Sequence, residues 1–172
     1  TPLLTLTTDF SREDFHLPRL KGHLLAAHRD LQIIDLSHEV PPYDIVRAAF
    51  IFRRTWGHYP EGTIHLISVN DYYQPRGRFL AIRHERQYFI GPDNGIFSLI
   101  FGKMPAETFV LDGYTKKDAL SAIYASAVAH VAKNKPFLEI GLPATKFSER
   151  LAFQPVIGPN YIRGTVVFID RF

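Results

Sequence analysis

The chain contains no cysteine, so its chemistry includes neither a disulfide nor a thiolate-held metal. It also lacks the run of about 18 apolar residues that marks a membrane span, and its amino terminus has no signal-like pattern. A soluble cytoplasmic protein is therefore expected. Charge of one sign is scarce: 20 Lys+Arg stand against 17 Asp+Glu, giving a formal charge of only +3. The basic residues are scattered along the chain instead of forming a stripe, and nucleic acid is not expected as a partner. The sequence starts at Thr1 and not at Met, so the expectation is that at least one preceding residue was removed.

What is present is enough apolar material for one full core. The 172 residues are 46% hydrophobic and 13% aromatic, which predicts one principal domain with room for a small appendage. Apolar patterning alternates between strand-like and helix-like periods. Strands are predicted over 3–8, 31–36, 63–69, 79–83, 87–91 and 107–111, and helices over 14–28, 44–56, 95–102 and 118–132. That alternation predicts an α/β fold, a mainly parallel Rossmann-like sheet with helices on both faces. The segments 79–83 and 87–91, separated by His84-Glu85-Arg86, read as a hairpin, and Asp44 is placed to cap the helix that follows Pro41-Pro42. Residues 141–161 read as connecting chain, and 162–169 as a fresh strand that ends at Phe172. A strand that opens a new unit and then stops predicts a truncated second domain, dividing the chain into 1–140, a linker over 141–161, and 162–172.

The first strand leads directly into Asp9. In open α/β sheets ligands bind at the carboxyl ends of the strands. A carboxylate there suits a sugar diol, because it can accept hydrogen bonds from two adjacent hydroxyls. Asp9 is thus a candidate ribose clamp, with helix capping as the structural alternative. Other residues invite plainer readings. Asp35 and His38 have the types of metal ligands, but nothing supplies a third at diagnostic spacing, so a turn-stabilising role and no metal are expected. Gly91-Pro92-Asp93-Asn94-Gly95 is a turn by composition that precedes a helix, where backbone donors can face a ligand. Phe50, Phe52, Trp56 and Phe97 read as core or as part of a subunit contact.

Five segments in order carry a family resemblance: LTTDF (6–10), IIDLSHEVPPYDI (33–45), HYPEGTIHLISV (58–69), YFIGPDNGIF (88–97) and GTVVFID (164–170). Together they resemble the S-adenosylmethionine hydroxide adenosyltransferases and their fluorinase and chlorinase relatives. The resemblance implies an amino-terminal α/β domain followed by a carboxy-terminal β-barrel, assembled as homotrimers with the ligand between subunits. It implies hydrolysis of S-adenosylmethionine to adenosine and methionine, with that molecule as substrate and no separate cofactor. Asp9 matches the family's ribose carboxylate, Tyr43 the aromatic beside the nucleoside, and Asp170 the carboxylate for the methionine ammonium. Asn94, within the GPDNG match, joins the substrate-binding set.

The water-activating Asp, Arg and His of the hydrolytic members have a looser counterpart. Over Val69–Arg78, ungapped alignment puts Asn70 at the Asp position and Gly77 near the Arg, while Asp71 with Arg76 or Arg78 serves after a small shift. The His has no counterpart over 116–121, and His130 reads as structural. Two functions follow from this pattern. One is hydrolysis carried by Asp71, Arg76, Arg78 and Asn70; the other is binding of adenosine or S-adenosylmethionine without catalysis. Nothing in the sequence identifies a halide pocket.

Overall fold

A computed structural model describes residues 1–71, 77–115 and 117–172. Among these residues, nine strands and four α-helices follow one another as β1 (Leu3–Thr8), α1 (His16–Ala27), β2 (Gln32–Ser37), α2 (Ile45–Arg53), β3 (Ile64–Ser68), β4 (Phe79–His84), β5 (Gln87–Pro92), α3 (Ile96–Phe101), β6 (Glu107–Leu111), α4 (Leu120–Ala132), β7 (Gly141–Pro143), β8 (Val156–Ile157) and β9 (Ile162–Arg163). The main sheet has the order β2-β1-β3-β5-β4-β6-β7. Its first four strands pair in parallel, and β4, β6 and β7 add by antiparallel pairing. The predicted α/β class is therefore observed, with a parallel half and an antiparallel half.

Helix periodicity decides what covers each face. In α1 the buried residues are Leu17, Leu20 and Leu24, and α4 offers Tyr124, Val128 and Val131 with a run of alanines that lets the two helices pack closely. These helices and the apolar side chains of β1 and β3 form one core. On the opposite face Ile45, Ala48, Ala49 and Phe52 recur at helical spacing in α2, which packs on α3 to form the second. Asp44 caps α2 as predicted, its Oδ1 accepting from the Arg47 amide at 2.9 Å. The β4–β5 hairpin closes through Glu85 and Arg86, both at positive φ (46° and 60°). That is the pattern of a tight turn whose twist matches the strands it joins.

The chain leaves β1 for β2 on one side and then crosses by α2 to β3 on the other. The order therefore reverses between β1 and β3, and their carboxyl ends flank the crevice that a doubly wound sheet offers to a ligand. Three expectations need correction. Phe52 and Phe97 are wholly inside (0% and 2% exposed), so they serve the core and not a subunit contact. The stretch 141–161 is not all connecting chain, since β7 pairs with β6 through Phe109, Val110 and Leu111. The strand expected over 162–169 pairs only at Ile162–Arg163, against β8, because the side chains beyond find no partner strand among the described residues and stand largely exposed.

At the centre of β3 lies His65, fully buried, with Nδ1 2.7 Å from Thr5 Oγ1 and Nε2 2.6 Å from Gln87 Oε1. Burial disfavours the imidazolium, and the Gln87 carbonyl only partly offsets this, so the pKa falls from 6.5 to about 4. Between these values the unfolded chain binds the proton and the native chain does not, so stability is present above pH 6.5 and lost as pH falls toward 4. The loss amounts to about 3 kcal/mol. Urea titrations at several pH values should show this slope in the parent and a flatter one in His65→Gln. Parallel stability profiles would place the pH sensitivity elsewhere.

Candidate functional site

The crevice between β1 and β3 is organised by Asp9. Its Oδ2 accepts two backbone hydrogen bonds, from the Tyr43 amide at 3.0 Å and the Asn70 amide at 3.1 Å. One oxygen thus ties together the loops that follow β1, β2 and β3. Among the described residues Oδ1 takes no hydrogen bond, and the carboxylate is half-buried. The donors hold unusual backbone conformations, with φ 68° at Tyr43 and 55° at Asn70. Non-glycine residues adopt that region at a cost, which the charged hydrogen bonds help to offset. Tyr43, whose amide this carboxylate holds, is exposed. Behind this loop Thr8 Oγ1 lies 2.8 Å from His38 Nδ1, and His38 Nε2 lies 3.0 Å from Asp35 Oδ1. Burial acts to raise the Asp35 pKa, but the Lys21 ammonium at 2.7 Å and His38 together hold it below the usual carboxylate value. This chain of contacts supports the turn after β2.

Asp71 is placed differently. It is 3% exposed, and its Oδ2 accepts from the Ser68 hydroxyl at 2.8 Å and from the Tyr124 phenol. Oδ1 is buried with no hydrogen-bond partner among the described residues. Burial, helped by the neighbouring Asp9 charge, outweighs these two donors and the residue's own backbone amide and raises the Asp71 pKa to about 7. Tyr124 is itself fully buried, and burial with the adjacent Asp71 pushes its phenol well above 10. The site therefore holds two carboxylates of different character. Asp9 is fixed by backbone amides and reaches solvent, whereas Asp71 sits in the core and exchanges its proton near neutrality.

The other sequence candidates sort by their contacts. Asn94 spends its amide on the protein: Nδ2 donates to the carbonyls of Val69 (2.9 Å) and Asn70 (3.3 Å), and Oδ1 accepts from the Ile96 amide at 3.2 Å. It pins the backbone that presents the Asn70 amide to Asp9. Arg78 is engaged by Asp93 (Nε to Oδ2, 2.9 Å) and by the Lys146 carbonyl (2.8 Å), which anchors the chain after β7 to the loop before α3. In that loop Gly95 has φ 97°, and a Cβ there would lie 2.8 Å from the Arg150 Cβ, so only glycine fits without displacement. Asp170 is exposed and accepts from the Phe172 amide at 3.1 Å; among the described residues no hydrogen bond or ion pair joins it to Asp9, Tyr43 or Asp71. Arg76 falls outside the described residues. His130 contacts the Pro136 carbonyl at 2.9 Å, in keeping with a structural role. Ser68 and Tyr124 were not anticipated. The available signal was a single phenol on the otherwise apolar and alanine-rich face of α4.

These features define a doubly wound α/β domain with a carboxylate-lined crevice at its topological switch point. The chain belongs to the SAM hydroxide adenosyltransferase N-terminal domain family, which it matches over residues 4–141. It is 23% identical over 175 residues to the (R)-S-adenosyl-L-methionine hydrolase of Methanocaldococcus jannaschii, covering 99% of this chain and 64% of that protein. It is 29% identical over 180 residues to the protein of that name from Thermus thermophilus, covering 96% of this chain and 69% of the relative. This chain thus spans about two thirds of the length of these curated relatives. Among solved structures, an uncharacterized conserved protein from Thermotoga maritima shares the fold with a TM-score of 0.82 at 23% identity, over 99% of this chain and 68% of that one. A conserved hypothetical protein from Thermus thermophilus aligns with a TM-score of 0.72 at 27% identity, over 87% and 62%.

The electrostatic asymmetry of the two carboxylates can be measured directly. Carbon-13 detection of the aspartate carboxyls should give Asp71 a midpoint near 7, and Asp9→Asn should lower it by removing a neighbouring negative charge. An Asp71 midpoint below about 5 would contradict its burial in the native protein.

Proposed function

We propose that this chain carries the nucleoside-binding domain of an enzyme that hydrolyses S-adenosyl-L-methionine to adenosine and L-methionine by attack of water at C5′. The observation that carries the reading is the Asp9 carboxylate, fixed at the end of β1 with Oδ1 left to accept from a ribose diol and the exposed Tyr43 held to it by its amide. Family membership and the activity named for the relatives support it.

The chemistry asks little of an acid. A sulfonium leaves as a neutral thioether, so catalysis rests on holding the substrate in line with the nucleophile and on excluding bulk solvent. As the C5′–O bond forms and the C5′–S bond breaks, the electron pair goes to sulfur and one proton of the attacking water must be accepted. Asp71, ionising near neutrality, is suited to take it. In this reading Asn70 positions Asp9 through its amide, Asn94 and Arg78 hold the loops, and Arg76 stabilises the attacking water. Asp170 binds the methionine ammonium. Residues 1–140 serve as the nucleoside-binding domain, 141–161 as the linker, with β7 the part of it that joins the sheet, and 162–172 open a second β domain. The exposed apolar side chains of Leu151, Ile157, Ile162 and Val166 support burial of this segment in a homotrimer.

Incubation of the full-length protein with S-adenosylmethionine, followed by chromatography, should yield adenosine and methionine. Asp9→Ala should lose on the order of 2–4 kcal/mol of adenosine affinity by calorimetry. Asp71→Asn should lower kcat more than it changes KM and should abolish the acid limb near pH 7, as expected for loss of a proton acceptor. Tight binding with no adenosine formed would convert the reading to a binding protein, and unchanged affinity in the Asp9 variant would remove the ribose clamp.

A further inference from the structure

The two donors on Asp71 converge on the same oxygen. Ser68, at the end of β3, and Tyr124, on the second turn of α4, both give their hydroxyl protons to Oδ2, while Oδ1 is buried and has no partner among the described residues. A carboxylate loaded evenly would share its side-chain donors between its oxygens; here both side chains hold Oδ2, and the residue's own backbone amide adds only a smaller interaction. Tyr124 itself is clamped, fully buried with its ring edge-on to Phe79 at 5.5 Å, so its hydroxyl cannot swing away without opening the core between α1 and α4.

We propose that Tyr124 is the positioning residue of the hydrolytic site, fixing Asp71 through Oδ2 so that Oδ1 alone is presented to the attacking water. The inference rests on the hydrolase reading of the same crevice. It assigns a role to a residue that the resemblance does not mark. The step is balanced without Tyr124 changing its own protonation: water adds to C5′, sulfur departs as the neutral thioether, Asp71 Oδ1 takes the proton, and Asp71 releases it to solvent after products leave. The phenol remains protonated and donating throughout, as its burial beside a carboxylate requires. Among the described residues, the groups facing Asp71 are Asp9 from the end of β1, Ser68 from β3, Tyr124 from α4 and its own backbone amide, with Tyr114 acting on Tyr124.

The direction of the effect follows from which form each donor favours. A hydrogen bond to Oδ2 stabilises the ionised carboxylate and opposes the burial that raises its pKa. Tyr124→Phe removes one such bond while keeping the ring in the core. In the full-length protein it should move the acid limb of kcat/KM upward by about one pH unit and lower kcat at pH 7 roughly fivefold, with KM changed less than about twofold. Ser68→Ala, which removes the second donor from the same oxygen, should move the limb in the same direction and supplies the test if the Phe variant does not fold. A purely structural role for Tyr124 would instead lower the unfolding midpoint and leave the limb where it was. An active parent with an unshifted limb in both variants overturns this inference alone, whereas a parent that releases no adenosine overturns the hydrolase reading and with it the role of Tyr124.

Discussion

One carboxylate oxygen organises the carboxyl edge of the sheet. Asp9 Oδ2 receives the amides of Tyr43 and Asn70, which lie 34 and 61 positions further along the chain. Hydrogen bonds from amides to an ionised acceptor are about twice as strong as neutral ones, and here they hold two non-glycine residues in left-handed conformations. The geometry of the crevice depends on this node. It sets where Tyr43 leaves its ring, where β3 hands over to the next loop, and hence where Asp71 enters the core. Asn94 reinforces the arrangement from behind by bonding the carbonyls of Val69 and Asn70.

The contrast between Asp9 and Asp71 shows how a single environment divides identical side chains into different roles. Asp9 keeps solvent contact and backbone donors. Asp71, three residues beyond Ser68 at the end of β3, is turned inward, where desolvation dominates the hydrogen bonds of Tyr124, Ser68 and its own amide and leaves it titrating near 7. Burying a carboxylate in this way costs stability whenever it is charged. A cost retained at the ligand edge of a doubly wound sheet, beside a second carboxylate, is the pattern of a functional group. His65, in β3, is the counterexample: fully buried, but satisfied on both ring nitrogens by Thr5 and Gln87 and surrounded by aromatic rings, it belongs to the core.

Much of the fold was legible in the linear pattern. Strands β1 to β6 and helices α1 to α4 fall within a few residues of the periodic segments, because each presents an unbroken apolar face at period 2 or 3.6 and is bounded by turn chemistry such as Pro41-Pro42 or Glu85-Arg86. The edge strand β7 was not legible. Among the described residues it pairs with β6 alone, and a Gly-Leu-Pro segment has no periodicity of its own. Likewise Phe97 could not be assigned to the core from spacing, since a six-residue helix gives too little period to fix its buried face.

The sequence by itself determined the layer architecture, the position of Asp9 at a strand end, and the family resemblance carried by five ordered segments. These are local properties, set by periodicity and by residue type at an element's edge. Only the tertiary structure decided that Asp9 spends one oxygen on two distant amides, that Asn94 and Arg78 brace loops, and that Tyr124 meets Asp71. Those outcomes depend on contacts between residues from 24 to 68 positions apart. Such contacts form only when α1, α4 and the strand ends are packed together, because hydrogen-bond geometry is satisfied by three-dimensional placement and leaves no period in the chain.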